Sequence, residues 1–220
     1  MTLLPGFFML AFLSFANAFP QDTKSALESD PGGWVDIMPG ADLNGWTVLT
    51  IPAGGSIHSP SQWKVEPAGT LVCDGTGGHE WLRYDRELKD FMFHVEWRFA
   101  PIEAGKGYNS GVYVRNSGDA KVWHQAQVGG GSGGFLFGDT PVGGEVKRVN
   151  LRASSVVDRV KPAGEWNTYE ITCRGPVIKL WTNGLVTSEM PNCEALQGYA
   201  GLEAEGYRIE FRNLKLKELR

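Results

Sequence analysis

Cysteine is scarce: Cys73, Cys173 and Cys193 are all that 220 residues contain. An odd count cannot pair fully within one chain, so the sequence is not a disulfide framework. A Cys173–Cys193 bridge stays open to it in an oxidising compartment. The four histidines, His58, His79, His94 and His124, are scattered. No pair of Cys or His has zinc-ligand spacing, which argues against a structural zinc. Calcium is disfavoured because no compact loop of oxygen ligands is present. No metal and no cofactor are expected.

Basic runs are also missing. Lys and Arg number 21 against 25 acidic residues, a net charge of −4, which excludes a nucleic-acid groove or an anionic membrane surface as the natural partner. No helical periodicity persists beyond two turns, and there is no internal repeat. Neither a Gly-x-Ser-x-Gly elbow nor a His-Glu-x-x-His pair occurs. The glycine run 129–134 lacks the Gly-Lys-Ser/Thr of a phosphate loop, and is expected to be a flexible surface loop at the edge of a binding site. Leu3 to Phe15 is apolar but too short to span a bilayer, which takes about 20 residues. With Ala16-Asn17-Ala18 behind it, it reads as a secretory signal cleaved after Ala18, giving an exported, periplasmic or secreted protein with no membrane segment after cleavage. Residues 19–32 are polar and read as a tail, leaving 33–220 as one domain.

What is abundant is glycine (29) and tryptophan (8), set among short alternating segments. Such a composition favours many strands and tight turns. Phe91–Phe99 places Phe91, Phe93, Val95, Trp97 and Phe99 on one face and His94, Glu96 and Arg98 on the other. Val112 and Val114 point inward, Tyr113 and Arg115 outward. Ala126 and Val128 point inward, Trp123, Gln125 and Gln127 outward. Tyr169, Ile171 and Cys173 belong inside, as do Ile209, Phe211, Leu214 and Leu216, with a bulge near Arg212-Asn213 where the alternation breaks. Asn183-Gly184 marks a type I′ hairpin. The fold expected is all-β: a jelly-roll sandwich of two antiparallel sheets.

The outward polar set comprises Glu96, Arg98, Asn109, Tyr113, Arg115, Trp123, Gln125, Gln127, Glu203 and Glu205. Amide, guanidinium and carboxylate groups hydrogen-bond sugar hydroxyls, and aromatic faces stack on a sugar ring. A carbohydrate is therefore the expected ligand.

Several ordered segments carry a resemblance. They are Ala41-Asp42-Leu43-Asn44-Gly45-Trp46, Trp63-Lys64-Val65-Glu66, Asp90-Phe91 with Val95-Glu96-Trp97-Arg98, and Asn109 through Arg115. Lys161 through Tyr169, Asn183-Gly184, Gly198 through Leu202 and Glu210 through Leu214 complete the set. Together they resemble the 3-keto-disaccharide hydrolase family, relatives of concanavalin-like lectins and glucanases. The resemblance implies a concanavalin-like jelly roll and cleavage of glycosides oxidised at C3, by removal of the C2 proton and expulsion of the C1 oxygen. An exported sugar 3-dehydrogenase would be the natural upstream partner. Under that reading Glu96, Glu203 and Glu205 are the acid/base candidates. Arg98, Arg115 and Lys161 would hold the enolate or hydroxyls, and Asn109 and Gln127 would orient the sugar, with Tyr113, Trp123 and Gln125 completing the binding set. The chain departs from the family pattern in having Gln125 where a glutamate is usual, and Glu203 and Glu205 where glutamine and histidine are usual. A neutral amide does not exchange a proton at pH 7, so acid/base work moves to Glu203 or Glu205 or is lost. The alternative is a non-catalytic glycan-binding module on the same scaffold. An ordinary glucanase ranks last, because no Glu-x-Asp-x-x-Glu strand is present.

Overall fold

A computed structural model describes residues 23–103, 107–130 and 132–220. The signal expected over 1–18 lies outside these described residues. In chain order the elements begin with a one-turn helix α1 (Ala26–Ser29), then β1 (Val35–Asp36), β2 (Trp46–Thr50), β3 (Trp63–Val65), β4 (Leu71–Cys73) and β5 (Glu80–Tyr84). Next come β6 (Phe91–Phe99), β7 (Asn109–Asn116), β8 (Trp123–Gly129), β9 (Leu136–Val142) and β10 (Glu145–Asn150). The chain closes with β11 (Asn167–Arg174), β12 (Val177–Thr182), β13 (Leu185–Met190), β14 (Tyr199–Ala204) and β15 (Ile209–Glu218).

These strands make two antiparallel sheets. The first runs β13-β12-β11-β6-β15-β4-β3, with β1 also pairing β15; the second runs β10-β9-β8-β7-β14-β5-β2. Alternation decides which side of each strand enters the core. Phe91, Phe93, Val95, Trp97 and Phe99 of β6 are buried, and from the second sheet Val112, Val114, Ala126, Val128 and Leu202 join the same cluster. Each such side chain contributes about 1.5–3 kcal/mol on burial, which drives the sheets together. The β12–β13 hairpin turns at Asn183 and Gly184, both at positive φ (44° and 106°), as a type I′ turn requires. The bulge falls where alternation broke: the β15–β6 register shifts between Arg212 and Lys215, with Asn213 left-handed.

Two expectations meet a different structure, and one open pairing is decided. The polar segment before residue 33 is docked over its described part: Ser25 caps α1 in a capping box, and the buried Glu170 carboxylate accepts from the N–H groups of Ala26 (2.5 Å) and Leu27 (3.0 Å). The glycine run is not a free surface loop where it is described. Gly133 and Gly134 are buried, and a Cβ on Gly133 would fall 2.7 Å from the Gln127 carbonyl and 2.8 Å from the Tyr169 hydroxyl. Cys173 and Cys193 do not pair; all three cysteines are free and buried. Burial pushes the Cys73 thiol up to about 12, and raises Cys173 as well, so neither is a ready nucleophile.

Candidate active site

The outward faces of β5, β7, β8, β9 and β14 floor a cavity of about 430 Å³. Its polar lining is His79, Asn109, Asn116, Gln125, Gln127, Glu203 and Glu205, and its aromatic lining is Trp81, Tyr113, Trp123 and Phe137. The aromatics form one row of edge-on contacts: Phe137 to Trp123 at 5.1 Å, Trp123 to Tyr113 at 6.3 Å, Tyr113 to Trp81 at 5.7 Å. Strand alternation builds this face. Val112 and Val114 go to the core, so Tyr113 between them must face the cavity; the same holds for Gln125 and Gln127 around Ala126.

Glu203 sits at the base of the cavity, 2% exposed. Its Oε1 accepts a very short hydrogen bond from the Tyr113 hydroxyl and lies 2.8 Å from His79 Nε2; its Oε2 accepts from Gln125 Nε2 at 2.7 Å. The Gln125 contact depends on Gly111 of the intervening strand, where any Cβ would fall inside the Gln125 carboxamide. Burial, with the Glu203 charge beside it, raises the Tyr113 hydroxyl well above the ordinary phenol range. The hydrogen bond to Glu203 raises the His79 imidazole as well.

Glu205, the residue after β14, is half-buried at the cavity wall. It accepts from Asn109 Nδ2 at 2.5 Å, and Asn109 Oδ1 in turn accepts from Gln127 Nε2 at 2.8 Å. Burial and the neighbouring Glu203 charge raise its carboxyl above the usual range. The structure therefore holds two carboxylates in unlike settings: one saturated by donors, one open to the cavity. That contrast is how a site separates a positioning group from a proton acceptor.

One ligand atom each from His79, Glu203 and Glu205 falls within 4.8 Å of the others, a spacing that a divalent cation could bridge. Both Glu203 oxygens, however, already accept from protein donors. His79 and Glu203 are joined by a hydrogen bond, and Glu205 is held separately by Asn109.

The structure brings Asn109, Tyr113, Trp123, Gln125, Gln127, Glu203 and Glu205 together and leaves four expected residues elsewhere. Glu96 and Arg98 lie on the outer face of the other sheet. Glu96 accepts from Arg212 Nε (2.7 Å) and Asn213 Nδ2 (2.9 Å), and the contact with His94, with these, holds its carboxyl down to about 2. Arg98 pairs with Glu210 at 2.7 Å and stacks on Trp166, whose carbonyl accepts from Lys161 Nζ at 3.1 Å. Arg115 was expected outward, but the β7–β14 register shifts here and its φ is +52°, so the alternation flips. Its guanidinium is fully buried, donating to the carbonyls of Lys89, Gly175 and Ala195 and to Asp90. It closes one end of the sandwich and does not line the cavity.

His79 escaped the sequence reading, although alternation through His79 and Trp81 put both on one face; only the tertiary contact with Glu203 distinguishes it. Asn116, Ile51 and Ala120 likewise enter the cavity from strand ends and loops, which carry no periodic signal.

The described residues form a jelly-roll sandwich with an amide-, carboxylate- and aromatic-lined cavity on one sheet, the fold shared by glycosyl hydrolase-like proteins and carbohydrate-binding modules. The chain belongs to the 3-keto-alpha-glucoside-1,2-lyase-like domain family, whose profile it matches over residues 33–217. It is similar in fold to a protein of Parabacteroides distasonis ATCC 8503 provisionally assigned as a glycosyl hydrolase (18% identity, 91% of this chain and 100% of that one, TM-score 0.61). The carbohydrate-binding module CBM66 of Bacillus subtilis shares the fold too (14% identity, 79% and 96%, TM-score 0.58). So does a Bacillus licheniformis β-glucanase (12% identity, 80% and 94%, TM-score 0.50). No curated protein matches the sequence.

Proposed function

We propose that the protein cleaves 3-keto-glycosides, with Glu205 as the base and His79 as the proton donor. The observation that carries this reading is the unequal pair of carboxylates. Glu205 is open to the cavity, and its raised carboxyl makes it a better match to a carbon acid near neutral pH. Glu203 is the positioning residue that orients His79 and favours its protonated form.

A C3 ketone acidifies the C2 proton. Glu205 takes that proton, and the C2–H electron pair is shared with the C3 carbonyl as an enolate. The Asn116 carboxamide on the cavity wall, its Oδ1 held by the His124 N–H at 3.0 Å, offers its Nδ2 hydrogens to the developing charge. The pair then forms the C1–C2 double bond while the C1–O bond breaks, and the leaving oxygen takes its proton from His79. Addition of water across C1–C2, hydroxyl to C1 and proton to C2, completes a net hydrolysis. Such a substrate must come from an oxidation at C3, the reaction class of a sugar 3-dehydrogenase. Residues 1–18, read as an export signal, support a reaction outside the cytoplasm.

The test is incubation of the mature protein with a 3-keto-disaccharide and its unoxidised parent, following monosaccharide release. Release from the keto-sugar alone, lost in Glu205→Gln, supports the mechanism. Binding without release from either sugar would replace it with the glycan-binding reading.

A further inference from the structure

A second, smaller cavity of about 250 Å³ adjoins the first and shares Trp81 and Ala120 with it. Trp81 is the cross-strand partner of Glu203, so this space begins one strand away from the carboxylates. Its chemistry is unlike that of the main cavity. Leu49, Ile57, Ala53, Ala120 and the Trp81 indole supply apolar surface, with the loop glycines 54 and 55 beside them. No charged or carboxamide side chain lines it. The one side-chain hydroxyl, Thr50 Oγ1, already accepts from the Gly55 N–H at 2.9 Å. Ile57 is 52% exposed at the rim, an apolar side chain with nothing packed over it. Ala120, which lines both cavities, holds a left-handed φ of +57°, a conformation that glycine would adopt at lower cost, and sets a methyl at their junction.

We propose that this smaller cavity is the leaving-group subsite, and that it selects a single apolar or aromatic ring over a second sugar. The proposal rests on the 3-keto-glycoside reading and gives it a substrate class. A sugar carries a hydroxyl on nearly every carbon, and those buried here would lose water with the single Thr50 hydroxyl as side-chain partner. A six-membered aromatic ring has no such cost. The space is below the range of about 300–1,000 Å³ typical of whole-ligand pockets, which suits one ring attached to a sugar held next door.

The experiment compares benzyl, methyl and glucosyl 3-keto-α-glucosides: benzyl alcohol and methanol have similar acidity, and a sugar hydroxyl is the more acidic leaving group, so intrinsic reactivity works against the preference expected. The benzyl substrate is expected to exceed the glucosyl one in kcat/KM by about tenfold or more, the scale of a filled apolar pocket. Ile57→Asp, which lines the smaller cavity only, should remove most of that preference and leave the methyl substrate within about twofold. Equal rates for benzyl and glucosyl substrates, or an Ile57→Asp loss shared by all three, would overturn the subsite. Failure of the catalytic reading is separately visible: no keto-glycoside would turn over. In that case binding of unoxidised benzyl and methyl glucosides, followed by tryptophan fluorescence, still decides the subsite. Benzyl binding at least about tenfold tighter and lost in Ile57→Asp supports it; equal binding overturns it.

Discussion

Gln125 donates from Nε2 to Glu203 Oε2 at 2.7 Å, passing over β7 at the one residue there, Gly111, that has no side chain to block it. Two of the three departures that the resemblance implies, Gln125 and Glu203, thus meet in one contact: an amide on β8 faces a carboxylate on β14. Glu203→Gln leaves two amides, and Gln125→Glu leaves two carboxylates side by side, so each single variant should lose stability and turnover. The double variant Gln125→Glu/Glu203→Gln should recover both. A double-mutant cycle read by thermal melting and turnover should give a coupling of about 1–3 kcal/mol.

Gly111→Ala tests the passage itself. The added methyl displaces the buried Gln125 carboxamide from its contact with Glu203. The expected cost is about 1–3 kcal/mol of stability, with turnover falling further than folding accounts for. Melting temperature and kcat/KM on the same preparation check this.

The charges outside the cavity separate structure from chemistry. Glu96→Gln and Arg98→Ala, on the sheet opposite the cavity, should leave kcat/KM within about twofold. Arg115→Met removes a fully buried guanidinium and strands three carbonyls and Asp90. It should destabilise by about 3 kcal/mol or more, while the folded fraction keeps its activity. A steep kcat loss in Glu96→Gln would overturn this division.

The pH–rate profile should be bell-shaped. The proposed mechanism needs Glu205 ionised and His79 protonated. With both groups raised, the acid limb lies above 4.5 and the alkaline limb above 6.5. Asn109→Leu removes the donor to Glu205 and should move the acid limb upward without moving the alkaline one.

Stability has its own pH dependence. Burial pushes His124 down to about 4, and the ring sits against the Val114 carbonyl and Thr140 hydroxyl. The unfolded chain protonates this residue near 6.5, so between about 6.5 and 4 it binds the extra proton. The contribution is therefore intact above about pH 6.5 and lost as pH falls toward 4, on the order of 3 kcal/mol. Urea melts across this range should show the decline, and His124→Gln should flatten it.

Alternation along β6, β7 and β8 was enough to assign the core face, because a strand shows opposite sides at every second residue and only one side can be apolar. The Asn183-Gly184 turn and the break at Arg212-Asn213 were equally local, since backbone φ preferences need no distant partner. Which of the two polar faces holds the site was not local. Glu96 and Glu203 have the same outward signature in sequence; only the strand order puts Glu203 beside Tyr113, Gln125 and His79, and Glu96 beside Arg212. Arg115 shows the same limit, because a bulge set by pairing with β14 turns an outward residue inward. The sequence by itself determined the two-sheet sandwich and its carbohydrate-suited residues. The tertiary structure decided which carboxylates share a cavity, because proximity across strands depends on sheet order and register, which no single strand encodes.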